Sequence, residues 1–286
     1  MTDAILGERR HLINLAYRLL GSLAEAEDAV QEAYARWYAL PRPDEIASPG
    51  AWLTTVTSRI CLDQLGSARA RRERYVGEWI PEPLPDHGAA DPADRVTLDE
   101  SVSMAFLVTL EAMTPAQRVA LILHDVFHYS FAEIAGITGR TPAACRELAS
   151  SARRRIRDGK PSTTPAVRQA DLVRDFKQAW EAQDITALVG LLDPTAIFTA
   201  DGGGRVITAL DPIEGGERIA QFIIAVATKT PGDFTLLERT VNGQPGLQIQ
   251  LDGVTTSVYA FEIVDDRISR IWAVRNPEKL RSWTGV

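Results

Sequence analysis

The spacing of apolar residues divides the chain into two parts. Up to about residue 158, apolar residues recur every three or four positions, a pattern that predicts amphipathic helices. The helix expected over 23–39 is typical, because Val30, Ala33 and Trp37 share one face. The first part of the chain is therefore predicted to be entirely helical.

From residue 166 the pattern becomes that of a mixed domain. One helix over 166–182 and a shorter one lead into segments that alternate or are rich in β-branched residues, with a further helix at about 216–228. Asp252 and Gly253 between two apolar segments predict a tight hairpin. We therefore expect a multi-domain fold: two all-α domains, followed by an α+β domain whose antiparallel sheet folds over helices.

The helices before residue 158 have well-marked starts. Thr114 and Ser130 each begin a capping box. Thr141 begins the last helix, directly after a short turn that contains Gly139. Two helices joined by so short a turn predict a helix-turn-helix. Farther upstream, Ser48 as N-cap and Pro49 at the first helical position predict a long helix that runs to about residue 73.

Two stretches rich in proline and glycine separate these parts. The predicted order is a helical domain over 1–75, a linker over 76–100, a helix-turn-helix domain over 101–160 and, after a second short linker, a domain over 166–286. The first linker contains Trp79, and a solvated linker gains nothing from exposing a tryptophan. We therefore expect this linker to dock onto another part of the protein.

Composition narrows the functional classes. A hydrophobic content of 45% and a charged content of 24% are ordinary for a soluble globular protein. We expect no membrane span, because no run of about 18 apolar residues occurs, and no signal peptide, because the N-terminus is charged. Cys61 and Cys145 lie in different helical segments, so a disulfide framework is not expected and a cytoplasmic location fits.

The charge is distributed unevenly. A net charge of −7 argues against a protein that coats DNA by bulk attraction. Yet residues 59–74 and 140–160 are basic islands that sit on predicted helices. Two solvated helix faces would give the same pattern of charge. The alternative is that the two basic helices bind DNA phosphates.

The two islands suit two kinds of DNA. A helix with hydroxyl groups, a tryptophan and a basic end suits melted strands, whereas a basic helix-turn-helix suits the major groove of a duplex. Promoter opening requires both. Two elements two helical turns apart are separated by roughly 70 Å, and an extended 76–100 linker would reach roughly 80 Å.

Three stretches carry a family resemblance. They are AEDAVQEAYARWY, PGAWLTTVTSRICLDQLGSARARRE and TPAQRVALILHDVFHYSFAEIAGITGRTPAACRELASSARRRIR. Over roughly residues 3–158 they resemble the two core regions of extracytoplasmic-function (ECF) sigma factors of bacterial RNA polymerase. The remainder resembles a SnoaL-like, NTF2-type domain, and the combination resembles the ECF41, or SigJ-like, group.

Three short signatures support the same group. WIPEP at 79–83, DGGGR at 201–205 and NPEKL at 276–280 each differ by one conservative change from the group's WLPEP, DGGGK and NPDKL. One of them alone would be weak, but three in the right order are specific. The resemblance implies partners: core polymerase through its β′ clamp helices and β flap, and promoter DNA.

The resemblance also implies roles for particular residues. Polymerase binding is implied for Asp28, Gln31 and Glu32. Opening and holding the −10 element is implied for Ser48, Pro49, Trp52, Thr55, Ser58, Arg59, Arg69, Arg71 and Arg72. Reading the −35 element is implied for Thr141, Arg146, Glu147, Ser150, Arg153, Arg154 and Arg155. Gly66 interrupts a stretch that is more often basic in relatives, which weakens the expectation of phosphate contacts there.

The signatures are expected to form an intramolecular regulatory contact. Their residues are Trp79, Ile80, Pro81, Glu82, Pro83, Asp201, Gly202, Gly203, Gly204, Arg205, Asn276, Pro277, Glu278, Lys279 and Leu280. In this hypothesis the C-terminal domain holds the linker, gives Trp79 a hydrophobic seat and sets the distance between the DNA readers. It would replace a separate anti-sigma factor. For Asp201, turn formation before glycines is the simpler interpretation.

Three functions remain open at this point. The first is a sigma factor with an appended regulatory domain, which the motifs favour. The second is a ligand-sensing, one-component helix-turn-helix regulator, and the third is an NTF2-type enzyme fused to DNA-binding helices. The C-terminal domain has no histidine, no cysteine and one tyrosine, Tyr259, so acid–base catalysis is disfavoured. No metal and no cofactor are expected, and a small-molecule ligand stays open.

Overall fold

The computed structural model describes residues 7–72, 75–86, 96–97, 100–158, 164–229 and 232–284. These form two compact units. The helical unit comprises the described residues up to 72, 96–97 and those from 106 to 158. The C-terminal unit comprises 75–86, 100–105 and the described residues from 164 onward. The described residues 75–86, which are the last residue of the predicted first domain and the start of the predicted linker, therefore belong with the C-terminal unit, and the four predicted domain bounds stay predictions. From here on, the linker is taken to begin at Tyr75.

Seven helices precede residue 159 in the described part of the chain. They are α1 (Arg9–Leu20), α2 (Leu23–Tyr38), α3 (Pro49–Arg72), α4 (Met104–Glu111), α5 (Pro115–Leu121), α6 (Phe131–Thr138) and α7 (Pro142–Asp158). The capping boxes predicted at Thr114 and Ser130 are both present. Helix α5 continues into a π-helical turn at Ile122–Val126, which the sequence did not predict. No described helix has the length and apolarity needed to cross a bilayer.

A buried arginine ties the helical unit together. Arg118 is 3% exposed, and its guanidinium donates to Leu19 O at 2.9 Å, Leu110 O at 2.6 Å and the Glu111 carboxylate at 2.8 Å. Leu19 and Leu110 lie in the last turns of α1 and α4, where backbone carbonyls lack helical partners. Burial lowers the pKa of Arg118 to about 10, so it stays charged at neutral pH. One cation therefore links the two halves of the unit.

The C-terminal unit is a sheet covered by helices. Its helices are α8 (Ala166–Glu181), α9 (Ile185–Leu191) and α10 (Gly216–Lys229). Its strands are β1 (Leu192–Asp201), β2 (Ile213–Glu214), β3 (Phe234–Val241), β4 (Gln244–Leu251), β5 (Val254–Val264) and β6 (Arg267–Val274), followed by a 3-10 turn at Pro277–Trp283. The core includes Phe176, Trp180, Phe198, Ile219 and Ile271.

The order of the sheet is β2-β1-β6-β5-β4-β3. Strands β1 and β6 are parallel, whereas the other neighbours are antiparallel. The expectation of a purely antiparallel sheet is therefore wrong at this pair. A parallel pair needs a long crossover, and α10 with the four intervening strands supplies it. The predicted hairpin turn at Asp252 and Gly253 is present, with φ values of 52° and 78°.

We predict that Arg118→Met lowers the free energy of unfolding of the helical unit by about 3–5 kcal/mol, because three acceptors lose the cation that they share. Urea unfolding followed by circular dichroism would measure the loss. Arg36→Met is the matched control. Arg36 forms only an exposed pair with Glu32, and removing such a pair should cost at most about 1 kcal/mol. Equal losses in the two variants would contradict the role assigned to Arg118.

Candidate functional site

The carboxylate of Asp201 is the centre of a buried polar cluster. Asp201 ends β1 and is 0% exposed. One carboxylate oxygen accepts from the Tyr75 hydroxyl at 2.6 Å and from Gly203 N at 3.0 Å. The other accepts from Ile80 N at 3.0 Å and from Lys279 Nζ at 2.7 Å. Residues from the linker, from the glycine-rich loop and from the C-terminal turn thus bind one carboxylate.

We name this cluster the linker clamp and define it as Tyr75, Trp79, Asp201, Asn276 and Lys279. It contains members of all three signatures, which the chain order separates widely. Tyr75 lies outside every signature, so no sequence pattern marked it.

Lys279 connects the clamp to the linker tryptophan. Its ammonium is 3.9 Å from the centroid of the Trp79 ring and also donates to Ile80 O. A cation over an indole face is attracted by the ring quadrupole. Trp79 is half-buried, and its neutral ring faces the Lys279 ammonium, so its seat includes a cation–π contact as well as any apolar contact. Residues 80–85 of the linker are all buried, among them Ile80 and Leu84 at 1% and 5% exposed.

Tyr75 and Asn276 complete the polar network. Burial and then the hydrogen bond to Asp201 raise the pKa of Tyr75, so its hydroxyl stays protonated and donates. The Asn276 amide donates to that hydroxyl at 2.9 Å, while its carbonyl accepts from Glu278 N at 3.0 Å. Asn276 thereby caps the C-terminal 3-10 turn and orients Tyr75.

The glycines after Asp201 allow the loop at 202–204 to pack closely against neighbouring atoms. Gly203 has φ 63°, and an added Cβ would collide with the Asn276 amide. A Cβ at Gly202 would lie 2.6 Å from Val206 O. The bond from Gly203 N to Asp201 is the turn chemistry that the sequence suggested. The same carboxylate also accepts a bond from Ile80 N of the linker, so Asp201 forms the turn and contacts the linker at once, while its regulatory role stays a prediction.

The linker has a second anchor farther along. Trp283 Nε1 donates to Pro83 O at 2.9 Å. Leu84 and Asn242 exchange two bonds, Leu84 N to Asn242 Oδ1 at 2.9 Å and Asn242 N to Leu84 O at 2.8 Å. The Asn242 amide also donates to Val102 O at 2.9 Å. Sequence reasoning missed both Asn242 and Trp283, since an Asn-Gly pair signals only a hairpin turn.

The signatures also share an ion pair at the surface. Arg205 and Glu278 are 2.6 Å apart, and each side chain is more than half exposed. Exposed pairs contribute about 0–1 kcal/mol. The buried Asp201–Lys279 pair therefore dominates the electrostatics of the clamp.

Helix α7 presents one exposed polar stripe. Arg146, Glu147, Ser150 and Arg154 are all exposed, whereas Cys145, Ala149 and Ala152 face the core. Thr141 caps the helix by accepting from Ala144 N at 3.2 Å. The predicted −35 residues at 146, 147, 150 and 154 therefore share an accessible face.

Two of the arginines predicted to read DNA have partners inside the protein. Arg153 binds both carboxylate oxygens of Asp125, with Nε at 2.7 Å from Oδ2. Burial alone would raise the pKa of Asp125. The hydrogen bonds and the positive charge of Arg153 outweigh this effect, so the pKa of Asp125 is lowered. Arg155 donates to Ala112 O, just beyond the end of α4. Their predicted contacts with DNA would require these bonds to break.

The residues predicted to act on the −10 element are divided between two faces of α3. Ser48 is exposed, Pro49 is half-buried, and the Thr55 hydroxyl is bonded to Ala51 O at 2.8 Å. Trp52 is half-buried and packs edge-to-face on Trp37 at 5.3 Å.

Ser58 departs from the prediction. It lies on the buried stripe of α3 with Thr54, Thr57 and Cys61, because these positions repeat with the helical period. Among the described residues, the hydroxyls of Thr57 and Ser58 have no hydrogen-bond partner. Ser58 is therefore not available to DNA in this structure.

Arg59 is engaged by the helix-turn-helix. Its guanidinium donates to Gly136 O at 2.8 Å and to Ile137 O at 3.2 Å, in the last turn of α6. A cation at a helix C-terminus is favoured by the helix dipole. Helix α3 extends to Arg72, but the side chains of Arg69, Arg71 and Arg72 lie outside the described part of the structure.

The predicted polymerase-binding residues are exposed. Asp28, Gln31 and Glu32 lie on the outer face of α2, and Glu32 pairs with Arg36 at 2.8 Å. Within the described residues, no group of three or more potential ligands is arranged to hold a metal ion.

Comparisons with known proteins agree with this architecture. The model of sigma-70 region 2 matches residues 5–71, and that of sigma-70 region 4 matches residues 103–156. The ECF RNA polymerase sigma factor SigJ of Mycobacterium tuberculosis is 39% identical in an alignment 285 positions long, which covers 95% of this chain and 90% of that protein.

Solved structures are similar to this chain as well. The crystal structure of M. tuberculosis SigJ covers 99% of both chains with a TM-score of 0.79 and 34% identity. An NTF2-like protein from Mesorhizobium loti matches the C-terminal part alone, with 20% identity, 40% of this chain, 95% of that chain and a TM-score of 0.31.

A chain with both sigma-70 regions is a sigma factor, the kind of protein that binds core RNA polymerase and promoter DNA. This chain belongs to the extracytoplasmic-function family of RNA polymerase sigma factors and resembles SigJ along nearly its whole length. Sigma factors are not enzymes. The one-component regulator and the fused enzyme are therefore set aside.

We predict that Asp201→Asn and Lys279→Met each lower the free energy of unfolding of the C-terminal unit by about 3–5 kcal/mol, because each leaves one buried charge unpaired. The double variant should lose less than the sum of the two, since neither charge then remains. Urea unfolding followed by tryptophan fluorescence measures all three.

Arg205→Met is the matched control for this cycle. Arg205 belongs to the same signatures but forms only the exposed pair with Glu278, so its loss should be at most about 1 kcal/mol. Strictly additive losses for Asp201 and Lys279 would contradict a direct ion pair.

Proposed function

We propose that α2 recruits core polymerase while α3 and α7 read the promoter. Asp28, Gln31 and Glu32 would meet the β′ clamp helices, and the helix-turn-helix region would approach the β flap. The exposure of Asp28, Gln31 and Glu32 on α2 supports the assignment to the clamp helices. Polymerase and promoter DNA are in the cytoplasm, which is where such a chain would act.

The promoter contacts are proposed for the accessible residues. Arg146, Glu147, Ser150 and Arg154 would enter the major groove at the −35 element. Ser48, Pro49, Trp52 and Thr55 would hold the melted −10 strand. Arg153 and Arg155 would act in this proposal by fixing α7 on the helical unit.

The helical unit as described would be a closed state. Arg59, proposed to bind DNA phosphates, is bound to the end of α6. Helix α6 belongs to the −35 reader and α3 to the −10 reader, so the two readers are packed together. The two promoter elements lie roughly 70 Å apart, and reading both would require the readers to separate.

The clamp would limit that separation. Residues 75–86 are docked on the C-terminal unit and cannot extend while the clamp is closed. The remaining linker, residues 87–100, reaches roughly 45 Å when fully extended at about 3.3 Å per residue. The docked segment adds a fixed span to this reach but can no longer extend, so the separation open to the readers is smaller than with a free linker. In this proposal the C-terminal domain restrains the factor and makes a separate anti-sigma factor unnecessary.

The observation that carries the proposal is the binding of one buried carboxylate by three signatures. Asp201 is satisfied by the linker backbone and by Lys279 together. The linker therefore docks to the domain through a specific buried charge rather than through apolar contact alone.

We predict that Lys279→Met raises promoter-dependent transcription by at least about tenfold, because a loss of even about 1.4 kcal/mol from the closed state is a factor of ten. The assay is transcription in vitro with bacterial core polymerase and the upstream region of the chain's own gene. Arg205→Met, at the exposed pair, should leave the transcript level unchanged.

Two results would contradict the proposal that the clamp restrains transcription. Unchanged transcription with Lys279→Met would mean that the clamp does not restrain the factor. A fall in transcription by a folded variant would mean that the docked linker is required for activity. A Trp79→Ala variant tests the same restraint from the linker side and should raise transcription as well.

We also predict that Arg154→Ala weakens promoter binding by the holoenzyme about 10- to 100-fold if it contacts a base edge, and that its effect depends on the −35 sequence. Arg155→Ala is the control, because its side chain is bonded to Ala112 O. It should lower thermal stability and affect all promoters alike. Gel-shift titrations on two −35 sequences would distinguish the two effects.

A further inference from the structure

Helix α7 carries an arginine that rests on an aromatic ring of the preceding helix. The guanidinium carbon of Arg146 lies over the Phe131 ring, 5.3 Å from its centroid. Phe131 is half-buried, whereas Arg146 is exposed. A guanidinium over an aromatic face is attracted by the ring quadrupole. The Arg146 side chain is therefore held by the protein while it stays accessible from outside.

Phe131 is itself held in place from two directions. It is the first residue of α6 and directly follows the capping box, in which Ser130 N donates to the Glu133 carboxylate at 2.7 Å. Its ring also packs against the His124 imidazole, with the two centroids 4.1 Å apart and the ring planes tilted by 31°. The π-helical turn that contains His124 thus supports the ring on which the arginine lies.

The support continues into the ion pair between the π-helical turn and α7. The Asp125 carboxylate lies 2.9 Å from His124 Nδ1 and also binds Arg153 of α7. Arg153 Nη2 lies 3.4 Å from the same ring nitrogen. These three side chains form one connected group, so the imidazole is held where Phe131 packs against it.

Three arginines of α7 are held in two different ways. Arg153 donates to Asp125 and Arg155 donates to Ala112 O, so bonds from these two arginines to DNA would compete with bonds inside the protein. An aromatic face attracts a guanidinium without needing its N–H donors. Of the three, Arg146 is therefore held in the way that lets the edge of its guanidinium donate to a base.

The position of Arg146 along the helix favours contact with bases. Helix α7 begins at Pro142, so Arg146 lies near its N-terminal end. In helix-turn-helix proteins, the N-terminal residues of the second helix contact base edges in the major groove. An arginine there donates two bonds to guanine O6 and N7. A long side chain that is already ordered loses less conformational entropy when it forms such bonds.

We propose that Phe131 is a positioning residue for −35 recognition, whose ring pre-orders the Arg146 guanidinium for bidentate contact with a guanine. The inference rests on the proposed function, in which Arg146 enters the major groove. The gain falls on the preferred sequence alone, because Arg146 forms no such bidentate pair when another base takes the place of guanine. Phe131 therefore sets how sharply the factor discriminates at one position of the −35 element, and it acts through Arg146.

The test uses holoenzyme made from the full chain and bacterial core polymerase, bound to a library of promoters whose −35 element is randomised. Arg146→Ala identifies the position, because the preference for guanine should fall there by about 5- to 100-fold. Phe131→Leu keeps an apolar side chain but removes the aromatic face. It should lower the guanine preference at the same position by about two- to fivefold and leave the other −35 positions unchanged.

Two further variants separate positioning from a general loss of structure. Phe131→Tyr keeps the aromatic face and should retain the wild-type preference. Phe127→Leu is the matched control, because Phe127 is also half-buried and also has a cation over its ring, Arg18 at 5.7 Å, but lies outside α6 and α7. Phe127→Leu should leave the guanine preference unchanged even where it lowers thermal stability.

The double variant Arg146→Ala/Phe131→Leu shows whether the ring acts through the arginine. Its preference should equal that of Arg146→Ala, since the ring then has no guanidinium to position. A further loss in the double variant, or an unchanged preference in Phe131→Leu, would overturn the positioning role while the role of Arg146 stands. If Arg146→Ala keeps the wild-type preference at every position, the −35 assignment of Arg146 fails, and the positioning role fails with it.

Discussion

The buried carboxylate of Asp201 is the constraint on which the C-terminal unit depends. A carboxylate removed from water must be neutralised and fully hydrogen-bonded, or its desolvation costs several kcal/mol. Gly203 and Lys279 from its own domain supply two of the four partners, and Tyr75 and Ile80 from the linker supply the others. The domain is therefore electrostatically incomplete without the linker. This makes docking specific, because an apolar groove would accept many segments but this site needs a backbone N–H and a hydroxyl.

The helical unit uses the opposite arrangement, in which cations bind helix ends. Arg118 and Arg59 both donate to carbonyls in last helical turns, but Arg118 is buried and Arg59 is exposed. A buried arginine cannot leave its acceptors without a large desolvation penalty. An exposed one can exchange carbonyls for phosphates at little cost. The unit thus has one buried connection and one exposed connection, and in the proposed function it is the exposed one that would give way to DNA.

Sequence reasoning succeeded where local chemistry decides the structure. The capping boxes at Thr114 and Ser130 and the Asp252-Gly253 hairpin depend on neighbours within a few residues, and each is present. It failed where tertiary packing decides. Ser58 has a DNA-binding pattern around it but occupies the buried stripe of α3. Tyr75, Asn242 and Trp283 were missed because their partners are distant in the chain, and nothing local distinguishes them.

The parallel pair that the sequence did not predict is what builds the clamp. In a parallel pair both strands run in the same direction, so the segments that leave them emerge at the same edge. Asp201 at the end of β1 is in register with Val274 at the end of β6. The glycine-rich loop and the C-terminal turn therefore begin side by side, and Arg275 and Asn276 donate directly to Asp201 O. An antiparallel pair would have placed these signatures at opposite ends of the sheet, with no common site for the linker.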